Sequence, residues 1–190
     1  SRMLGMFLML PVLALYAQSL PDYSPAMLGL AMGAYGLTQA VLQIPFGRWS
    51  HRFGRKPLIT IGLLFYALGS LMGMYADTVT GLAIARGVQG AGAVSASVTA
   101  LMADLTRNEV RTRAMAVIGI SIGLSFVLAL IIAPALDAAI GVPGIFAVML
   151  AMALLGLALL YTAVPDEPER SGGADARKLS GMLEIVNRPQ

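Results

Sequence analysis

The stretch Gly47-Arg48-Trp49-Ser50-His51-Arg52-Phe53-Gly54-Arg55-Lys56 places four cations and a histidine between two long apolar runs, residues 26–47 and 57–76. A bilayer's hydrocarbon core is about 30 Å thick, and a helix rising 1.5 Å per residue crosses it in about 20 residues. Each flanking run has that length. The stretch therefore reads as a tight turn between two membrane-spanning helices. Gly54 would supply a backbone angle that other residues resist, and the cations would collect at one face of the membrane.

Working outward, four more apolar runs qualify as spans: residues 3–20, 78–103, 114–136 and 144–164. None keeps a polar face broad enough to meet water, so a set of soluble helices is excluded. The expected fold is an all-α membrane protein with six transmembrane helices over residues 1–164. The first run is the shortest and has Arg2 at its front, so the sequence is expected to enter part-way through its first helix. Residues 165–190 differ in kind. Asp166, Glu167, Pro168, Glu169, Ser171, Gly172 and Gly173 form a polar linker. Beyond it Leu179, Met182, Leu183 and Val186 fall at helical spacing, a short amphipathic segment.

Composition agrees with a bilayer. The 190 residues are 57% hydrophobic and 12% charged, against about 25% charged in soluble domains. Twenty-one glycines and ten prolines would weaken soluble helices, but membrane helices use small residues for close contact and neighbours absorb proline breaks. Cysteine is absent, which excludes disulfides, thiolate nucleophiles and Cys-based metal sites. With one histidine, no His-Glu-x-x-His and no Gly-x-Ser-x-Gly, hydrolase chemistry has no footing. No phosphate-binding Gly-x-x-x-x-Gly-Lys-Ser/Thr occurs, so an ATP-driven pump is unsupported. An enzyme is not expected, nor a metal or cofactor.

The basic residues give an orientation. Of 13 Lys and Arg, all but Arg2 and Arg86 lie in alternate connections. Arg48, Arg52, Arg55 and Lys56 follow the second span, Arg107, Arg111 and Arg113 follow the fourth, and Arg170, Arg177, Lys178 and Arg188 follow the sixth. The intervening turns, residues 21–25, Asp77 and 137–143, contain none. Positive loops stay cytoplasmic, so the N-terminus, both basic loops and the tail are expected inside a cell (inner or plasma) membrane. The net charge of +3, divided among short loops against a bilayer, does not form a nucleic-acid surface.

Two cations lie inside apolar runs. An arginine near the bilayer centre costs about 2.5–3.5 kcal/mol on insertion scales, so it faces a cavity or a partner. Arg86 is the stronger candidate, and Gln89 shares its helix face three residues on. It either binds an anionic or proton-carrying group or donates to backbone carbonyls. Arg2 is either a second core cation or a consequence of where the sequence starts. In the second span Tyr35, Thr38, Gln39 and Gln43 form one polar stripe, which lines a water-filled cavity or bonds between helices. Ser121 and Ser125 form a fainter pair, read as glue between helices. Gly87, Ala91, Gly92 and Ala96 give small-xxx-small spacing in the fourth span, a packing signal.

The spacing of glycines and arginines in the opening stretch resembles the Gly-x-x-x-Asp-Arg-x-Gly-Arg-Arg loop between helices two and three of the major facilitator superfamily. Leu82-Ala-Ile-Ala-Arg86-Gly-Val-Gln89-Gly90-Ala-Gly92 is similar to that family's fourth-helix motif. Leu4-Gly5 followed by Pro11 resembles the first-helix pattern of its drug–proton antiporter branch. The resemblance implies the N-terminal half of a twelve-helix transporter with alternating access. It implies a proton-coupling role for Arg86. A conformational lock would be built from Gly47, His51, Arg52, Gly54, Arg55 and Lys56, with Arg55 paired to Asp104. Two departures stand out: His51 replaces the family's aspartate, and Ala133-Pro134-Ala-Leu-Asp137-Ala138 keeps the antiporters' proline without their glycines.

The function expected is secondary active transport, namely proton-coupled efflux of small, largely apolar molecules. The proton gradient would serve as energy source in place of any cofactor. Expected partners are the lipid bilayer, a small-molecule substrate and a missing C-terminal six-helix half, with no nucleic acid. The alternatives are a self-contained six-span channel, a homodimerising half-transporter, or a sugar or metabolite transporter of the same superfamily.

Overall fold

The computed structural model describes residues 2–92, 98–99, 101–103 and 106–163. The longer helices among the described residues are α1 (Arg2–Gln18), α2 (Pro25–Phe53), α3 (Arg55–Met74), α4 (Val79–Ala91) and α5 (Asn108–Thr162); residues 98–99 and 101–103 are helical as well. Three of them are long and apolar enough to cross a membrane, over residues 25–49, 55–74 and 109–162. The linker expected over 165–190, with its amphipathic segment, lies outside the described residues.

Local chemistry sets the helix ends. Ser24 caps α2 by accepting from the Met27 N–H at 3.1 Å, and Pro25 occupies the first helical turn, where a missing N–H costs nothing. Thr78 caps α4 in the same way, accepting from the Gly81 N–H at 3.0 Å. Helix α2 does not end where the charges begin. It continues through Gly47, Arg48, His51 and Arg52 to Phe53, and the turn narrows to Gly54 alone, at φ 87° and ψ 158°. Twenty-nine residues of helix reach about 44 Å, more than the apolar core of a bilayer. The basic end thus rides the helix into the headgroup layer, where cations are soluble.

The connection expected over 137–143 is likewise shorter than its composition suggests. Helical geometry persists on both sides of Gly141, whose φ of 66° and ψ of 177° break α5 into two limbs. Pro143 follows closely, in the first turn of the second limb, where proline is tolerated. The chain reverses at this break. The Phe126 ring, in the first limb, meets the Phe7 ring edge-on at 5.0 Å. Met149, in the second limb, packs beside Gly5. A straight helix would separate residues 126 and 149 by about 34 Å, yet both touch one stretch of α1.

Packing follows from where small residues stand. Helix α4 lies between α2 and α3, with Gly90 against Tyr35 and Thr38, and Gly69 of α3 against Gln89 and Ala85. The second limb of α5 lies along α3, Gly73 meeting Phe146 at one end and Thr60 Oγ1 meeting the Tyr161 hydroxyl at 2.9 Å at the other. Leu8, Met9, Leu13, Tyr66, Phe146 and Met149 form the central core. The outward faces are strongly apolar: Leu37, Val41 and Ile44 of α2 and Ile120, Leu124 and Ile131 of α5 are exposed. Lipid or the apolar face of another helix, unlike water, covers such faces without penalty.

Ser121 and Ser125, read as glue between helices, do otherwise. Each donates to a carbonyl one turn back on its own helix, Val117 O and Ser121 O, both at 2.7 Å; Ser121 is exposed and Ser125 half-buried. A serine hydroxyl in a helix can satisfy itself locally, so its presence did not require a neighbour.

Candidate functional site: a buried arginine between three helices

Arg86 sits in the third turn of α4 and is 2% exposed. Its Nη1 donates to Gln89 Oε1 at 3.0 Å. Gln89, 0% exposed, turns its amide nitrogen to α3 and donates to Ser70 Oγ at 2.8 Å. The Ser70 hydroxyl donates in turn to Tyr66 O at 2.7 Å. The chain of donors runs one way. Because the single Ser70 proton is committed to Tyr66 O, its lone pairs remain for Gln89. That fixes which end of the glutamine amide faces the guanidinium.

The third helix contributes a ring. Arg86 Cζ stands 4.7 Å from the centroid of Tyr35, a cation–π contact of the kind worth about 2 kcal/mol when desolvated. Tyr35 is buried, and Thr38 ties the same pair of helices through Gly87 O at 2.9 Å, sharing its proton with Ala34 O at 2.7 Å. Close approach is possible because Gly90 lacks a side chain. A Cβ there would overlap Thr38 Oγ1 and Tyr35 O, whereas one at Gly87 would find its nearest atom at 3.9 Å. The tight contact with α2 is therefore at Gly90, outside the small-xxx-small pairs singled out from the sequence, while Gly92, a member of one pair, meets Gly62 O of α3 closely. Ala96 lies outside the described residues.

Of the stripe on α2, Tyr35 and Thr38 join the Arg86 network, Gln39 is half-buried and Gln43 is exposed. Spaced four apart, Tyr35, Gln39 and Gln43 share one face, and exposure rises along it away from Arg86. Arg2 begins α1; Gly5 packs beside Tyr66, so Arg2 lies deep along the bundle rather than at its basic edge. Its side chain lies outside the described residues.

The basic loop is separate from this network. Arg55 opens α3 and is 4% exposed; Asp104, its expected partner, lies outside the described residues, as do the side chains of His51 and Arg52. Lys56 Nζ stands 5.4 Å from the Tyr161 ring centroid, clasping the end of α5 to the start of α3. Gly47 is half-buried within α2.

Sequence reasoning missed three participants. Ser70 and Tyr66 were legible only as polar atoms in an apolar span. Asp22, at the opposite edge, was hidden in a turn. Its carboxylate accepts from Val79 N at 2.8 Å, Thr80 N at 3.2 Å and Thr80 Oγ1 at 2.6 Å. It thereby fastens the α1–α2 turn to the start of α4, where unpaired N–H groups favour an anion. The hydrogen bond from the Thr80 side chain, followed by that from Val79 N, holds this carboxyl below the usual aspartate range.

Comparison with known proteins identifies the family. The family model described as Major Facilitator Superfamily matches residues 1–189. The chain is 47% identical over 185 residues to the inner membrane transport protein YajR of Escherichia coli, covering 97% of this chain and 41% of that protein. It is 33% identical over 127 residues to multidrug resistance protein 1 of Bacillus subtilis, covering 66% of this chain and 32% of that protein. Among solved structures, the inward-open xylose transporter XylE of E. coli matches with a TM-score of 0.66 at 18% identity, covering 98% of this chain and 51% of that one. The chain spans about two fifths of the length of the curated relatives it matches.

Proposed function

We infer function from one premise: the chain belongs to the major facilitator superfamily. It is a multi-pass membrane protein, and the family and its relatives are transporters rather than enzymes. We propose that it forms the N-terminal half of a secondary transporter in the cell inner membrane, with the basic loops in the cytoplasm. A second six-helix half would complete the protein. Transport is by alternating access, driven by the proton gradient with no other cofactor. The direction is efflux, of small and largely apolar molecules. The likeness to a Bacillus protein named for multidrug resistance supports that direction.

The observation that carries the reading is Arg86, a cation 2% exposed within an apolar span and bridged to α3 through Gln89 and Ser70. Burying a charge in the bilayer is costly, and such groups mark substrate or ion pathways. In this reading Gln39 and Gln43 line the cavity between the two halves, and the exposed faces of α2 and α5 meet the missing half. The loop from Gly47 to Lys56, with Asp104, locks the cytoplasmic side.

The test is transport by the full-length protein in everted membrane vesicles, with a lipophilic dye such as ethidium as probe. Gradient-dependent dye accumulation that collapses with a protonophore supports the reading. Accumulation that persists without a gradient, or none from a folded protein with any apolar probe, contradicts it.

A further inference from the structure

The Arg86 guanidinium has an electrostatic requirement that its partners among the described residues do not meet. Arginine keeps its charge in proteins, and a buried charge is tolerated when it is paired. Gln89 and Tyr35 offer Arg86 a neutral acceptor and a ring face, and neither carries a formal negative charge. Arg86 Nε is buried with no hydrogen-bond partner among the described residues. The sequence explains the vacancy. Its ten acidic residues are Asp22, Asp77, Asp104, Glu109, Asp137 and five between 166 and 184. Every one falls in a turn, at a span's end or in the tail, and none stands in the interior of a span.

The direction of the fork matters as well. Gln89 occupies Nη1, on one side of the planar group. Nε and Nη2 make the other side, the edge that takes both oxygens of a carboxylate in two parallel bonds. Gln89, held by Ser70, and the Tyr35 ring, 4.7 Å from Arg86 Cζ, restrain the fork from two directions. From Gln43 to Gln39 to Tyr35 the α2 stripe leads inward from an exposed position to a buried one, an uncharged polar track about 12 Å long.

We propose that Arg86 binds a carboxylate side-on against its Nε edge, and that the transported molecule brings that carboxylate. The inference rests on the transport reading above and narrows it: the substrates are organic acids, apolar bodies carrying one negative charge. In the empty carrier the guanidinium is the bait at the inner end of the Gln43–Gln39 track. In the loaded carrier it is neutralised.

The experiment uses purified full-length protein and matched probes, 4-phenylbutyrate with 4-phenylbutanamide and decanoate with decanamide, read by the thermal unfolding midpoint as each is titrated. At least one acid is expected to raise the midpoint while its amide does not. Arg86→Gln should weaken acid binding about tenfold or more, the usual scale for a charged hydrogen-bond partner. Arg86→Lys, which keeps the charge and loses the fork, should fall between. If Arg86→Gln does not fold, Gln43→Glu at an exposed position serves instead, and should weaken the acids by placing a like charge on the track.

Equal binding of acids and amides overturns the proposal, as does full acid affinity in Arg86→Gln or Gln43→Glu. It is also overturned if no acid binds while neutralising an acidic residue in the rest of the protein cures the Arg86→Gln defect. That result would assign the counter-ion to the protein itself. Gradient-driven flux of neutral or cationic compounds with no preference for acids would remove this inference and leave the transport reading standing.

Discussion

Gln89 Nε2 donates to Ser70 Oγ at 2.8 Å, joining α4 to α3 in the centre of the bundle. Removing the acceptor with Ser70→Ala leaves a buried amide hydrogen unsatisfied, which costs roughly 1–3 kcal/mol. A lowered unfolding midpoint of the full-length protein in detergent is the expected result. Gly69→Ala should do at least as much harm, since its Cβ would stand 2.5 Å from Gln89 N and 2.7 Å from Ala85 O, both rigid backbone. An unchanged midpoint in both variants would contradict the packing of α3 on α4.

The two glycines that face α2 separate cleanly. Gly90→Ala pushes a methyl into Thr38 Oγ1 and Tyr35 O and should cost about 1–3 kcal/mol by overpacking. Gly87→Ala meets its first atom at 3.9 Å and should fall within about 0.5 kcal/mol of wild type. The ranking of their unfolding midpoints checks the placement of α4, and a reversed order would refute it.

At the edge opposite the basic loop, the Asp22 carboxylate holds the start of α4. Its folded-state pKa is lowered by hydrogen bonds from Thr80 and Val79. The stabilisation is therefore fully present above the unfolded value, about 3.9, and is lost as pH falls through the folded one. Wild type should exceed Asp22→Ala in unfolding midpoint at neutral pH, and the two should converge in acid below about pH 4. A gap that persists or widens in acid would show that the charge is not what holds α4. Asp22 also has φ 61°, which asparagine tolerates, so Asp22→Asn should retain more stability than Asp22→Ala.

Gly54 and Gly141, at φ 87° and 66° with extended ψ, turn the chain in a region open essentially to glycine. Alanine at either position should cost about 1–3 kcal/mol, read as lower yield of folded protein and a lower unfolding midpoint. Gly47→Ala, inside α2 with nothing within 4 Å, should be neutral or mildly stabilising.

How much of this was legible in the sequence depends on the range of the physics involved. Apolar runs of bilayer length and a lone cation at Arg86 are local signals; the runs lead to apolar helices, and the cation is found buried in α4. Gln89 was legible because it is one helical turn from Arg86. Ser70 and Tyr66 were not, because helix spacing says nothing about which neighbour a face meets. Asp22 reads as an ordinary turn residue until the start of α4 is brought beside it. The polar turns were overdrawn at 47–56 and 137–143 because charge and proline look like loop. Helix α2 carries its cations past the apolar layer to Phe53, and α5 needs only Gly141 to reverse. Gln43 was grouped with Tyr35 by spacing alone, while the structure ranks them by depth.

The most direct measurement is proton-gradient-driven flux in everted vesicles carrying the full-length protein with Arg86→Ala, at matched levels of folded protein. If Arg86 is the working cation of this half, gradient-dependent flux should fall about a hundredfold, a loss of roughly 2.7 kcal/mol in the coupled cycle. Flux that matches wild type would contradict the role assigned to Arg86 and to the network that holds it.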